Sequence, residues 1–409
     1  MLAILYAFIN ILLTIFKMNQ PLIIKGLNVH AESGILSNSN VIIFGTTIDK
    51  IAVNAKSFPP NAKILEFSEH WHLVPGFIDM HIHGAKGVDC MDADLAGLAT
   101  ISRYLPEEGV TSFLATTMAS SKENIENALR AIKTYHAQPK SEEYKGAELI
   151  GVNLEGPFLA PKRCGAQPLA DIVDPDLKLL QKWQDLSGNL LRTVTIAPER
   201  AGALSLINYL RSQNISVAFG HSEADYEQGL AAIEAGLDHV THLFNAMPGI
   251  DHRNPNAITA LLLDSNVTVE LIADGIHIHP AILKMTLKLK GAEHIILVSD
   301  GIRAKGLGDG DYDFVGQLVQ VRNGVARLND GTLAGSVMRL DQALRNMIKF
   351  TGCSLTDALK MITENPAHKL GVFDRKGSIT SGKDADLVVL DANYRVKMTI
   401  CKGILNFKF

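Results

Sequence analysis

Short apolar runs separated by longer amphipathic stretches dominate the chain from Pro75 onward. The runs are "FIDMHIHG", "TSFLATT", "LIGVNLEG", "LRTVTIAPE", "SVAFGHS", "HVTHLFNAM", "TVELIADG" and "HIILVSDG". Each is short and rich in β-branched or aromatic residues, the pattern of a strand buried on both faces. Between them, stretches such as "KENIENALRAIKTYH" and "ADYEQGLAAIEAG" repeat apolar residues three and four apart, as one face of a helix does. Eight such alternations predict a (β/α)8 TIM-like barrel over residues 75–370.

Before Pro75 the segments "LIIKGLNVH", "NVIIFGTTIDKIAV" and "AKILEF" read as strands divided by Gly, Asn and Pro turns. The chain turns β-like again near its end, in "KGSITSGKDADLVVLDANYRVKMTICKGI". Residues 18–74 and 371–409 are therefore expected to pair into one small, discontinuous β-sandwich domain. A β-hairpin insertion is expected near 312–335, with turns at Asn-Gly and Asp-Gly. The first 17 residues are apolar, carry no basic residue before Lys17 and are short for a membrane span. Met18, opening "MNQPLIIKG", reads as the working start, and weak membrane association of residues 1–17 is the alternative.

Charge and cysteine usage narrow the function. A net charge of −4 without basic runs gives no reason to expect nucleic acid, so an anionic substrate would be held locally. Cys90, Cys164, Cys353 and Cys401 are scattered without a Cys-x-x-Cys pair, which suits packing residues in a reducing, cytoplasmic compartment.

The chemistry-bearing residues fall at the ends of the apolar runs, where a barrel gathers its active site. Alternate side chains of a strand share a face, so Asp79, His81 and His83 project to one side toward a shared target. His-x-His alone is a weak sign of metal. Glu155, His221 and His242, at the ends of three other runs, supply the context. Neutral imidazoles with a carboxylate suit Zn²⁺ or Fe²⁺ with a position left for water. Asp300 in "VSDG" stands where a carboxylate could take a proton from such a water and return it to a leaving group. Asp274 and His277 in "ADGIH" could orient a substrate, and Asp274 could equally cap a turn.

Taken in order, "PGFIDMHIHG", "LEGPF", "GHS", "THLFNAM", "ADGIH", "SDG" and "LAGS" resemble the N-acetylglucosamine-6-phosphate deacetylases of the amidohydrolase superfamily, from about Pro21 to the C-terminus. The resemblance implies removal of the acetyl group from N-acetyl-D-glucosamine 6-phosphate, giving D-glucosamine 6-phosphate and acetate, in amino-sugar metabolism. It makes Glu155, His221 and His242 the main metal ligands, Asp300 the catalytic acid–base and His277 a substrate contact. His81 and His83 would hold a second metal, sharing Glu155, so that each subunit takes one or two ions. Asn245, Ala246 and Arg253 would bind the sugar phosphate, Arg253 that of a neighbouring subunit, which implies a homodimer or higher homo-oligomer. Leu333, Ala334 and Gly335 would pack beside the sugar and acetyl group. Where relatives often carry a histidine, this chain has Gln167 in "KRCGAQP", so contact at Ala166 and Gln167 is expected through hydrogen bonds without a positive charge. The alternatives are a deacetylase of N-acetylgalactosamine 6-phosphate or another N-acyl compound and, from a different class, an inactive barrel serving as a binding scaffold.

Overall fold

The computed structural model describes residues 20–53, 55, 57–138 and 146–409. The apolar segment 1–17 and the reading of Met18 as the start lie outside these residues.

All eight apolar runs form strands of one parallel sheet: Phe77–Ile82, Val110–Thr117, Glu148–Glu155, Leu191–Ile196, Ser216–Phe219, His239–Val240, Thr268–Leu271 and Ile295–Leu297. Successive strands are neighbours. The first strand meets the segment after the last through a parallel bridge between Ile82 and Gly301, and Asp300 N donates to His81 O at 2.9 Å, closing the barrel. Val110–Thr117 is buried at every position, because one side chain points into the barrel and the next under the helices. This double burial is why the runs are continuous rather than alternating.

A helix follows each strand, and Lys122–Ala137 shows how the sequence builds one. Ser121 Oγ accepts from Asn124 N at 3.2 Å and caps the first turn. Ile125, Ala128, Leu129, Ile132 and Tyr135 then recur at helical spacing and are all buried.

The small domain is shared between the chain's two ends. Leu22–Ala31, Gly34–Phe44, Thr47–Val53, Lys63–Glu66 and His72–Pro75 join Leu387–Leu390, Val396–Cys401 and Ile404–Lys408 in one eight-stranded sheet. The seam is the antiparallel pairing of His72–Pro75 with Leu387–Leu390. Ile24, Val41, Ile43 and Leu73 from the first piece pack with Leu387, Val389 and Met398 from the second, so neither piece holds this core alone. Lys376 lies buried against Glu148 at 2.8 Å, Asp384 at 3.1 Å and Asp386, fastening the C-terminal segment to the start of the third barrel strand.

The insertion is a three-stranded antiparallel sheet, Gly310–Phe314, Gln317–Arg322 and Val325–Leu328. Asn323 and Gly324 make the expected second turn, whereas Asp330 and Gly331 lie beyond the third strand. The first turn is Val315–Gly316, with φ of 51° and 78°. A β-branched residue in left-handed backbone is rare, so nothing in its type announced this turn. Phe314, Val319, Val321 and Ala326 pack onto Met118, Ile302 and Ala334, which seats the insertion over the mouth of the barrel. Among the described residues no helix is long and apolar enough to cross a membrane.

Candidate metal and active site

The ends of the barrel strands bring six potential ligands together in two groups, Glu155 with His221 and His242, and His81 with His83 and Asp300. In the first group Glu155 Oε1 lies 2.8 Å from His242 Nε2 and 3.2 Å from His221 Nε2, and the two nitrogens are 3.1 Å apart. In the second, His81 Nε2 and His83 Nε2 are 3.3 Å apart, and Asp300 Oδ1 is 3.5 Å and 3.3 Å from them. Glu155 also joins the groups, its Oε2 standing 3.2 Å from His83 Nε2 and 3.5 Å from His81 Nε2.

These distances fit a divalent cation. Ligands on a tetrahedral ion with bonds of about 2.0–2.1 Å are separated from one another by roughly 3.3 Å. The facing Nε2 pairs have that spacing, and two facing imidazole nitrogens cannot each donate a proton to the other. The donor set of imidazoles and carboxylates suits zinc or iron better than calcium or magnesium.

The electrostatics favour positive charge at the same place. Burial alone would raise the carboxyl of Glu155, but the nearby His81 and hydrogen bonds from His221 and His242 hold it well below the usual carboxylate range. Asp300 is also lowered against its burial, by His81 and His83. Burial would lower His83, yet hydrogen bonds to Asp300 and Glu155 push it up to about 9.

Backbone conformation aims three of these groups. His221, His242 and Asp300 have φ of 47°, 27° and 47°, left-handed values costing residues other than glycine about 1–3 kcal/mol each. Neighbouring bonds hold them there: His221 Nδ1 donates to Arg163 O at 2.8 Å, and Asp300 O accepts from Ser336 N at 2.7 Å. Gly335 must be glycine at φ 54°, because a Cβ would come within 2.5 Å of Ile302 and 2.8 Å of Asp300 O.

Asp79 departs from expectation. Its carboxylate does not join the histidines; Oδ1 accepts from Ser299 N at 3.2 Å, and Oδ2 lies 3.9 Å from the buried Lys305. Two residues along a strand is about 6.6 Å, enough to sink Asp79 below the ligand level.

A cavity of about 350 Å³ opens above the ligands and is lined by His83, Glu155, His221, His242 and Asp300. Ala166, Gln167, Asn245, Ala246, His277, Leu333 and Gly335 share its wall. Ala334 is fully buried behind that wall, and Arg253 is exposed on a loop outside it. Gln167 is turned toward the ligands: Nε2 donates to Glu155 Oε2 at 2.9 Å, and Oε1 accepts from Ala119 N at 2.7 Å. Asp274 both caps and orients, since Oδ1 accepts from the backbone of Ile276 and His277 at 2.8 Å while Oδ2 meets His277 Nδ1 at 2.6 Å. Met118, Phe314, Arg327 and Thr332 also line the cavity, and sequence reasoning did not single them out. Their signal was positional only: Phe314, Arg327 and Thr332 belong to the insertion or its closing loop.

Comparison with known proteins agrees with this geometry. The amidohydrolase family profile matches residues 72–405. The N-acetylglucosamine-6-phosphate deacetylase of Bacillus subtilis (strain 168) is 44% identical over 392 residues, covering 95% of this chain and 98% of that protein. The N-acetylgalactosamine-6-phosphate deacetylase of Escherichia coli O157:H7 is 38% identical, covering 81% of this chain and 87% of that protein. A structure of a mutant N-acetyl-D-glucosamine-6-phosphate deacetylase from Mycobacterium smegmatis, in complex with N-acetyl-D-glucosamine-6-phosphate, superposes with a TM-score of 0.87 at 31% identity, over 95% of this chain and 100% of that one. With a closed eight-stranded barrel, histidine and carboxylate ligands at its strand ends and a family match across most of its length, the chain belongs to the amidohydrolase family.

Proposed function

We infer that this chain hydrolyses the acetamide of N-acetyl-D-glucosamine 6-phosphate to D-glucosamine 6-phosphate and acetate. The observation that carries the reading is the meeting of Glu155, His221, His242, His83 and Asp300 on one cavity wall. The match to the Bacillus subtilis relative supplies the substrate.

Glu155, His221 and His242 would hold the main ion, zinc or iron, and His81 and His83 a second. Such an ion, when bound, polarises an acyl oxygen and lowers the pKa of water. Asp300 takes the proton released as the water oxygen bonds to the acyl carbon. It then returns that proton to the amine nitrogen as the carbon–nitrogen bond breaks. His277, its Nδ1 held by Asp274, keeps Nε2 for a substrate oxygen. Leu333, Gly335, Asn245 and Ala246 line the cavity, where the first two would border the acetyl and sugar and the last two the sugar phosphate. Arg327 is the arginine that lines this chain's own cavity, and its guanidinium suits a phosphate. Arg253 would serve a neighbour's cavity across a homodimer. Four free cysteines suit a reducing cytoplasm.

The Escherichia coli relative favours a second reading, hydrolysis of the galactosamine epimer, which would use the same metal ligands. Initial rates on N-acetylglucosamine 6-phosphate, N-acetylgalactosamine 6-phosphate and unphosphorylated N-acetylglucosamine decide between them. The first should have the highest kcat/KM; a higher value on the second would reassign the substrate.

A further inference from the structure

Glu270 lies in the seventh barrel strand, Thr268–Leu271, fully inside the barrel and outside the cavity lining. Its carboxylate collects four donors. Oε2 accepts from His81 Nδ1 at 2.9 Å, Thr241 Oγ1 at 3.0 Å and His242 N at 3.1 Å, and Oε1 accepts from His239 Nε2 at 3.0 Å. An ionised carboxylate offers about four acceptor positions, so this one is saturated. Nothing in the hydrolysis requires a carboxylate here, and a buried charge is costly unless it is compensated.

We propose that Glu270 is a positioning residue that locks His81 as its Nδ1–H tautomer, presenting the Nε2 lone pair to the point shared with His83 and Asp300 and so creating a second cation site of useful strength. The contrast among the four imidazoles supports this. His83 Nδ1 and His242 Nδ1 are buried without a hydrogen-bond partner, and His221 Nδ1 donates to a neutral carbonyl, that of Arg163. Of these four, only His81 has a carboxylate hydrogen-bonded at Nδ1, and such a carboxylate makes an imidazole a more basic ligand. The bond from His242 N to the same oxygen ties the two ligand groups to one anchor. The inference rests on the metal reading of the site, and binding, measured apart from turnover, tests it.

The full chain, stripped of metal, is titrated with Co²⁺ while visible absorption reports each site. The unmodified chain should take two equivalents. Glu270→Gln, which keeps an oxygen facing His81 but removes the negative charge behind it, should take the first normally and the second 10- to 100-fold more weakly, with a spectrum shifted toward that of His81→Ala. Two equivalents of unchanged affinity and spectrum in Glu270→Gln would overturn the role of Glu270 alone. One equivalent in the unmodified chain would overturn it too, and none would overturn the metal reading itself. If Glu270→Gln does not fold, nitrogen NMR of isotopically labelled histidine in the Zn²⁺-loaded unmodified chain decides: His81 should keep its proton on Nδ1, and a proton on Nε2 would refute the proposal.

Discussion

Asp300 Oδ1 and His83 Nε2 face each other across 3.3 Å, placing the one carboxylate available for proton transfer within the ligand group itself. On the proposed reading Asp300 has two tasks, proton transfer and cation binding, that compete for the same oxygens. Its backbone, at φ 47° and bonded to His81 and Ser336, aims the side chain at the cavity and fixes it there.

Asp300→Asn separates the two tasks. The amide oxygen can still face the histidines, but it cannot take a proton, so kcat should fall by about 10²–10⁴. Metal content by elemental analysis should keep the ion held by Glu155, His221 and His242. Near-normal turnover in this variant would move the acid–base role elsewhere.

Arg327 predicts a different split. Removing a permanent charge that meets phosphate but not the reacting carbonyl should raise KM and spare kcat. Arg327→Ala should raise KM for N-acetylglucosamine 6-phosphate by roughly tenfold, the scale of one charge-assisted hydrogen bond, and leave the rate on unphosphorylated N-acetylglucosamine unchanged. An equal loss on both sugars would show that Arg327 holds the insertion rather than the phosphate.

His277 depends on Asp274 for its orientation. Asp274→Asn weakens that pairing without emptying the position, so His277 should be misaligned and kcat/KM should fall by about tenfold or more. His277→Ala should lose at least as much, and the double variant should lose little beyond it, since the two act as one unit. Additive losses in steady-state kinetics would separate them.

The small domain carries its own pH response, far from the ligands. His30 Nε2 and His72 Nδ1 lie 3.0 Å apart, and burial, aided by His72, lowers His30 from 6.5 to about 4. The unfolded chain therefore binds more protons than the folded one between these values, and stability falls as pH drops from 6.5 toward 4. Urea unfolding at several pH values should show a smaller loss across this window for His30→Gln than for the unmodified chain.

Much of this was legible in the sequence because double burial leaves continuous apolar runs, and every run from "FIDMHIHG" to "HIILVSDG" became a barrel strand. The ligands stood out because histidine and acid at the ends of such runs are conspicuous. Left-handed backbone at His221, His242 and Asp300 was hidden, since His and Asp adopt it more readily than most residues but still only in a small minority of positions. Glu270 was overlooked in "TVELIADG", although an acid inside a strand buried on both faces was itself the clue. Gln167 was read only as a sugar contact; the folded loop shows that its amide also bonds Glu155 and Ala119.

Acetate released from N-acetylglucosamine 6-phosphate, counted against new primary amine while the metal-free chain is titrated with Zn²⁺ or Fe²⁺, tests the central claim most directly. Acetate and glucosamine 6-phosphate should appear in equal amounts, with activity rising as metal fills the site and vanishing when a chelator removes it. Stoichiometric metal uptake without acetate release would contradict the account.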